Sequence, residues 1–183
     1  MKFSNIIPVL ILSISSTVAL GQTVAPLKSI VQLDVPRYLG RWYEIAKFPN
    51  WFQKKCASDT SAVYALRPDA SLSVLNQCRQ ADDEWVQALG LAQQVGDATS
   101  AKLQVRFAPA WLSFLPFVWG DYWVVDLDDA YELAAVSEPK REYLWILSRT
   151  PVVDPSRYAA LMERLKAMGL DTTRLEKTIH RTQ

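Results

Sequence analysis

The sequence predicts one all-β domain of eight antiparallel strands, arranged as a sandwich or an up-and-down barrel and followed by one C-terminal helix. Short runs rich in β-branched and aromatic residues follow one another closely and end in turn residues. No helical pattern separates these runs, which argues against parallel strands joined by crossover helices. A length of 183 residues suits a single domain with its own core.

The eight predicted strands differ in how clear their pattern is. The fifth is the clearest, because Leu103, Val105 and Phe107 alternate with polar residues. In chain order, the predicted strands are Gly40–Phe48, Asp59–Arg67, Ser71–Cys78, Glu84–Ala92, Ala101–Phe107, Asp121–Leu127, Tyr131–Ser137 and Tyr143–Arg149.

After the eighth strand the hydrophobic period changes from two to that of a helix. Apolar residues recur at helical spacing in Tyr158–Leu165. Asp154 suits the N-cap, Pro155 the first helical position and Gly169 the C-terminal cap. The extended tail Thr173–His180 is a candidate for a ninth strand.

The N-terminus has the pattern of an export signal. Lys2 precedes an apolar run, Ile6–Leu12, and small residues lead to a cleavage point near Ala19–Gly21. Pro8 and several serines argue against a membrane anchor, which needs a run of about 20 apolar residues. We therefore expect a signal peptide at 1–21, a leader at 22–32 and a domain at 33–183. No cysteine follows the apolar run to accept a lipid, so the expected location is the periplasm or the outside of the cell, with association with the outer membrane left open.

Charge and cysteine content narrow the choice of function. Removal of residues 1–21 would take one of the 20 basic side chains and leave 19 against 19 acidic ones. A net charge near zero lacks the excess of basic side chains that nucleic-acid binding requires. Cys56 and Cys78 are expected to form a disulfide in an oxidising compartment, and the alternative is two separate buried thiols.

Three segments carry a resemblance to a known family. Gly40–Ala46 (GRWYEIA) resembles the Gly-x-Trp-Tyr signature of the first lipocalin strand, and Leu144–Pro151 (LWILSRTP) resembles the last barrel strand with its arginine. Val125–Tyr131 (VDLDDAY) falls where lipocalins carry a Thr-Asp-Tyr turn. There Leu127 and Asp129 replace Thr and Tyr, and Asp128 alone fits. The resemblance runs from residue 33 to the C-terminus and is nearest to the bacterial outer-membrane lipocalins and the apolipoprotein D group.

The resemblance implies a closed, eight-stranded up-and-down antiparallel β-barrel with a structural signature at Gly40, Trp42, Asp128 and Arg149. Gly40 would allow a tight start to the first strand. Trp42 would plug the closed end, and Arg149 would lie across its indole in a cation–π contact.

The same resemblance places four loops at the open mouth, over residues 49–58, 79–83, 108–120 and 138–142. Cys56 and Cys78 would then meet at this mouth. Trp51 and Phe52 stand beside Lys54 and Lys55, and residues 110–117 (AWLSFLPF) are also apolar. Apolar loops of this kind suggest a lid over a lipid cavity or a membrane contact. The alternatives are that these side chains pack on each other or form a homodimer contact.

Strand alternation predicts the inward face of the first, fifth and eighth strands. Analogy adds Tyr64, Asn76, Tyr122 and Val124, and the apolar mouth loop adds Trp111. Arg149 sets the parity of the eighth strand, including Leu147, and Trp42 that of the first. The predicted ligand-binding set is Glu44, Ala46, Phe48, Tyr64, Asn76, Leu103, Val105, Phe107, Trp111, Tyr122, Val124, Tyr143 and Trp145. Glu44 could orient the ligand or could sit hydrated near the rim, since an inward carboxylate is costly unless paired.

These features predict a binding protein that stores or transports a fatty acid or a lysophospholipid, in the service of cell-envelope maintenance, with no cofactor, no metal and no catalysis. One alternative is a lipocalin-like enzyme acting on a hydrophobic substrate. A second is a protein-interaction barrel with a filled interior. Haem is a third, but the single histidine, His180, is expected to lie far from the pocket.

Overall fold

The computed structural model describes residues 25–109, 112–113, 115 and 118–181. The export signal predicted for residues 1–21 lies outside them. The described chain contains two α-helices, one short 3-10 helix (Thr172–Arg174) and nine strands: α1 (Val35–Tyr38), β1 (Gly40–Lys47), β2 (Ser58–Leu66), β3 (Leu72–Arg79), β4 (Trp85–Gln94), β5 (Lys102–Arg106), β6 (Gly120–Leu127), β7 (Leu133–Ser137), β8 (Leu144–Ser148), α2 (Pro155–Ala167) and β9 (Glu176–Lys177).

The strands form a closed antiparallel barrel. Each strand from β1 to β7 pairs with the next along the chain, and β1 also pairs with β8. Because β1 has a partner on both sides, the sheet wraps into a cylinder, and the prediction of an up-and-down barrel is confirmed. α1 was not predicted, since four residues are too few to show a helical period. Its N-cap Asp34 accepts a hydrogen bond from the Arg37 backbone N–H at 3.3 Å.

Helix α2 packs on the outside of the barrel. Asp154 caps its first turn by accepting from the backbone N–H groups of Ser156 and Arg157, and Pro155 opens the helix as predicted. Leu161 and Leu165 are fully buried against the outer faces of β7 and β8. In the described part of the chain, no helix combines the length and the apolar character needed to cross a bilayer.

A β-bulge in β1 reverses which side chains point inward. Glu44 lies opposite Leu147, and Ala46 lies opposite Ile146, so one extra residue is inserted between the two pairs. Ala46 and Phe48 therefore pack in the outer cluster under α2 rather than in the interior. Their prediction as cavity-lining residues is wrong, because strict alternation does not continue through a bulge.

A second bulge, between Val124 and Asp126, interrupts the alternation of β6 in the same way. Asp126 turns outward and accepts two hydrogen bonds from Arg164 of α2, at 2.7 and 2.8 Å. The two-pronged ion pair fixes the helix on the barrel wall.

Candidate functional site

One end of the barrel is closed by an arginine stacked on a tryptophan. The Arg149 Cζ atom lies 3.9 Å from the centre of the Trp42 ring, and Trp42 is fully buried. The guanidinium donates to the backbone carbonyls of Tyr131, Arg41 and Arg37 at 2.7–3.1 Å. These bonds tie the β6–β7 turn, β1 and α1 to the end of β8.

Gly40 and Asp128 shape the chain around this closed end. Gly40 has a φ of +92°, a conformation that strains any residue with a side chain, and a Cβ there would lie 3.5 Å from the Arg149 guanidinium. The Asp128 carboxylate accepts from the backbone N–H groups of Glu132 and Leu133, which holds the turn between β6 and β7.

Inward-facing side chains become more exposed toward the other end. On β4 the inward positions run from Ala92, with 0% exposure, through Gly90 and Ala88 to Val86, with 37%. On β5 they run from the buried Leu103 through the partly exposed Val105, and Phe107, next along the chain, is 43% exposed. The inner face thus changes from buried at the closed end to solvent-accessible at the other end, the mouth, and we call the interior that it encloses the hollow.

The floor of this hollow carries three tyrosine hydroxyls. The Tyr122 hydroxyl lies 2.8 Å from the hydroxyls of both Tyr38 and Tyr64. Burial raises the pKa of all three, that of Tyr64 to about 12, so the phenols stay neutral. We call this group the phenol cluster. Sequence reasoning placed Tyr64 and Tyr122 on the inner face and missed Tyr38, which reaches the interior from α1.

An aromatic group lines one side of the mouth. Tyr143 and Trp145 stack with ring centres 5.8 Å apart, and Phe52 of the β1–β2 loop packs 5.7 Å from Tyr143 and 6.3 Å from Trp145. Trp51 remains 73% exposed and Phe52 50% exposed. The predicted site residue Trp111 and its neighbours Ala110, Phe114, Pro116 and Phe117 lie outside the described residues.

A disulfide fixes the adjoining part of the rim. Cys56 and Cys78 are bonded, with Cα atoms 5.5 Å apart, and the predicted disulfide is confirmed. The bond joins the end of the β1–β2 loop to β3. A surface pocket of about 340 Å³ lies beside it, between this loop and β9, with Lys47 and Glu176 in its lining.

Glu44 is the one carboxyl group on the inner face of β1. It is 3% exposed, and its two oxygens accept from the Thr178 hydroxyl and the Gln53 amide, both at 2.6 Å. Burial raises the pKa of Glu44 despite these hydrogen bonds, which favour the charged form. Gln53 in turn accepts from the Trp145 indole at 3.1 Å. The carboxyl therefore ties the mouth loop to the barrel wall rather than standing hydrated at the rim.

The C-terminal tail completes this part of the wall. β9 pairs with β1, and the carbonyl of Ile179 accepts from the backbone N–H of Asp59 at the start of β2. The His180 Nε2 atom is hydrogen-bonded to the backbone carbonyl of Glu44 at 2.7 Å. The expectation that His180 lies far from the pocket is wrong, because the tail fills the gap where β1 and β2 separate. The sequence signal was the short extended run before the histidine.

The remaining predicted residues share the inner face. The structure brings together on this face Glu44, Tyr64, Asn76, Leu103, Val105, Phe107, Tyr122, Val124, Tyr143 and Trp145. Their role in ligand binding stays a prediction. The described residues contain no group of three or more side chains suited to hold a metal ion.

Comparison with known proteins relates the chain to one family. Residues 33–180 match the family model of a lipocalin-like domain. The chain is 42% identical over 147 residues to temperature-induced lipocalin-1 of Arabidopsis thaliana, which covers 80% of this chain and 78% of the relative. It is 39% identical over 150 residues to the outer membrane lipoprotein Blc of Vibrio cholerae, with 81% and 83% covered.

Two further proteins match this chain at lower sequence identity. Apolipoprotein D of Mus musculus is 32% identical over 153 residues, which cover 79% of this chain and 76% of the relative. Among solved structures, insecticyanin from Manduca sexta matches with a TM-score of 0.65 at 20% identity over 86% of each chain. At that identity the structural match shows the fold alone.

The buried carboxyl predicts a pH-dependent stability. Because burial raises the pKa of Glu44 above its ordinary 4.5, the folded state holds the proton more tightly than the unfolded state. The contribution of this group to the free energy of unfolding is therefore fully present below pH 4.5 and is lost as the pH rises through the folded-state pKa. We expect Glu44→Gln to remove this loss in urea unfolding followed between about pH 4 and pH 8.

Glu142→Gln, which changes an exposed carboxyl on the same rim, is the control and should retain the wild-type profile. A change in hydrogen bonding between neutral groups in Glu44→Gln shifts the free energy of unfolding by an amount independent of pH. A wild-type minus Glu44→Gln difference that stays constant over the whole range would therefore contradict the prediction.

Proposed function

The chain belongs to the lipocalin family, and we propose that it binds a fatty acid or a lysophospholipid inside the barrel and stores or carries it within the cell envelope. The observation that supports this most is the graded exposure of inward side chains, from the closed end at Ala92 to the mouth at Val86. The inner face at the mouth is therefore open to a ligand that enters from solvent. An acyl chain fits a lining that is mainly apolar with few polar groups.

The energetics favour a long acyl chain. Each methylene taken from water into an apolar cavity contributes ~0.8 kcal/mol, so a chain of ordinary length binds without any specific contact. A charged head group would remain at the mouth, where Lys54 and Lys55 are exposed. Two lysines at the entrance attract a carboxylate or a phosphate.

Binding without turnover is the function that we propose. The two cysteines are joined in a disulfide, so neither offers a thiol nucleophile. The ring of His180 is bonded to a backbone carbonyl, and the Glu44 carboxyl is held by Thr178 and Gln53. The hydrogen bonds of these groups join the tail and the β1–β2 loop to the barrel wall. Chemical conversion of a bound lipid during incubation would contradict this part of the proposal.

A side chain that fills the hollow should abolish binding. Val105 points inward on β5, and its neighbour Gln104 points outward. We expect Val105→Trp to lower the affinity for a fluorescent fatty acid at least tenfold, because the indole occupies the space of the acyl chain. Gln104→Trp is the matched control and should bind as the wild type does. Equal binding by all three proteins, measured by fluorescence titration, would contradict the proposal.

We further propose that the mouth loads its ligand at an anionic lipid surface. Trp51 and Phe52 are exposed on the β1–β2 loop, and Lys54 and Lys55 follow within the same loop. An indole inserts at a membrane interface, and each lysine near an anionic surface contributes about 1 kcal/mol. The relative from Vibrio cholerae bears the name outer membrane lipoprotein. An exported chain would meet such a surface in the envelope.

Vesicle binding tests this surface. Trp51→Ser should reduce co-sedimentation with phosphatidylglycerol vesicles about tenfold, since a large buried aromatic contributes on the order of 1.5–3 kcal/mol. Val152→Ser, which removes an equally exposed apolar side chain just after β8, is the control and should have no effect. If Trp51→Ser instead turns a dimer into a monomer in sedimentation and the wild type ignores vesicles, the loop is a homodimer contact and the membrane proposal is wrong.

A further inference from the structure

The phenol cluster on the floor of the hollow has one more proton than its own hydrogen bonds can use. Three hydroxyls carry three protons, and two hydrogen bonds at 2.8 Å join Tyr38 and Tyr64 to Tyr122. Each bond uses one proton. No other described residue lies within hydrogen-bonding distance of these hydroxyls. Whichever way the two bonds are directed, one O–H group remains free to donate.

When Tyr38 and Tyr64 both donate to Tyr122, the free O–H group is that of Tyr122. Tyr38 and Tyr64 are almost fully buried, whereas Tyr122 keeps part of its surface exposed on the inner face of β6. Asn76, also on the inner face and partly exposed, has no hydrogen bond from its amide to any described residue. Two polar side chains thus point into an otherwise apolar space without using their full hydrogen-bonding capacity. A buried donor without an acceptor is costly, so its position selects for a ligand that brings one.

The acceptor that fits this floor carries no charge. Arg149, whose charge acts on Tyr38, is already stacked on Trp42 and donates through three nitrogens to backbone carbonyls. A neutral phenol gives one hydrogen bond and does not balance a buried carboxylate. Ionised head groups therefore belong at the mouth, beside Lys54 and Lys55.

We propose that the phenol cluster is a binding subsite for an uncharged oxygen, a carbonyl, ether or hydroxyl, at the deep end of an apolar ligand. This inference rests on the proposed function and specifies its ligand class. The preferred ligand is a lipid with an oxygen on its buried end as well as a polar group at the mouth. A ligand that ends in a plain alkyl chain leaves the third hydroxyl proton of the cluster without an acceptor.

A matched ligand pair tests the subsite. Dodecan-2-one and dodecane compete for the uncharged probe N-phenyl-1-naphthylamine, and they differ in one carbonyl oxygen. In the wild type, the ketone should bind at least as tightly as the alkane, although water solvates it better. Tyr122→Phe removes the one partly exposed hydroxyl of the cluster and leaves those of Tyr38 and Tyr64 buried. It should therefore weaken the ketone about tenfold and leave dodecane within about twofold, as expected for the loss of one hydrogen bond.

Tyr64→Phe is the control that the cluster itself supplies. Tyr38 and Tyr122 would still share one hydrogen bond and keep one free proton on the floor, so the preference for the ketone should remain. Thermal melting followed by circular dichroism verifies that both variants fold. If Tyr122→Phe does not fold, the wild-type pair still decides, because a ketone bound about tenfold more weakly than dodecane contradicts the subsite.

The outcomes separate this inference from the proposed function. Equal weakening of both ligands in Tyr122→Phe would mean that the cluster provides shape alone, and it would overturn the subsite while leaving lipid binding intact. Failure of both ligands to displace the probe from the wild type, with no binding of fluorescent fatty acids, would remove the proposed function and the subsite with it.

Discussion

The stack of Arg149 on Trp42 is the contact on which the rest of the barrel depends. A cation–π pair of this kind contributes ~0.5–2 kcal/mol according to burial, and here the guanidinium also bonds the ends of three chain segments. By closing one end with a single large side chain, it removes the need to fill the whole cylinder. The other end is therefore free to stay hollow, with the phenol cluster as its floor and the aromatic mouth as its opening.

Much of the fold could be predicted because the signals are local and periodic. All eight barrel strands and α2 appear within a few residues of their predicted bounds, and the caps at Asp154 and Pro155 act as expected. What failed was set by tertiary contacts. α1 is too short to show a period, and no rule of alternation contains the bulge after Glu44, which turns Phe48 outward to pack under α2.

The site could be predicted as a face but not as a set of contacts. Alternation placed Val105 inward and analogy placed Tyr64 and Asn76 there, and each lies on a regular stretch of strand. It could not show that Tyr38 joins Tyr64 and Tyr122 or that the tail brings Thr178 to Glu44, since 134 residues separate the latter pair. Long-range packing decides which polar side chains find a hydrogen-bond partner at the closed end and along the tail.

An open interior above the Trp42 plug is the central claim, and native mass spectrometry of gently purified protein tests it most directly. We expect a second population of ions heavier than the bare chain by the mass of one lipid, and collisional activation should release that lipid intact. A single population at the mass of the polypeptide, unchanged after incubation with excess fatty acid or lysophospholipid, would show that the barrel takes up no such guest.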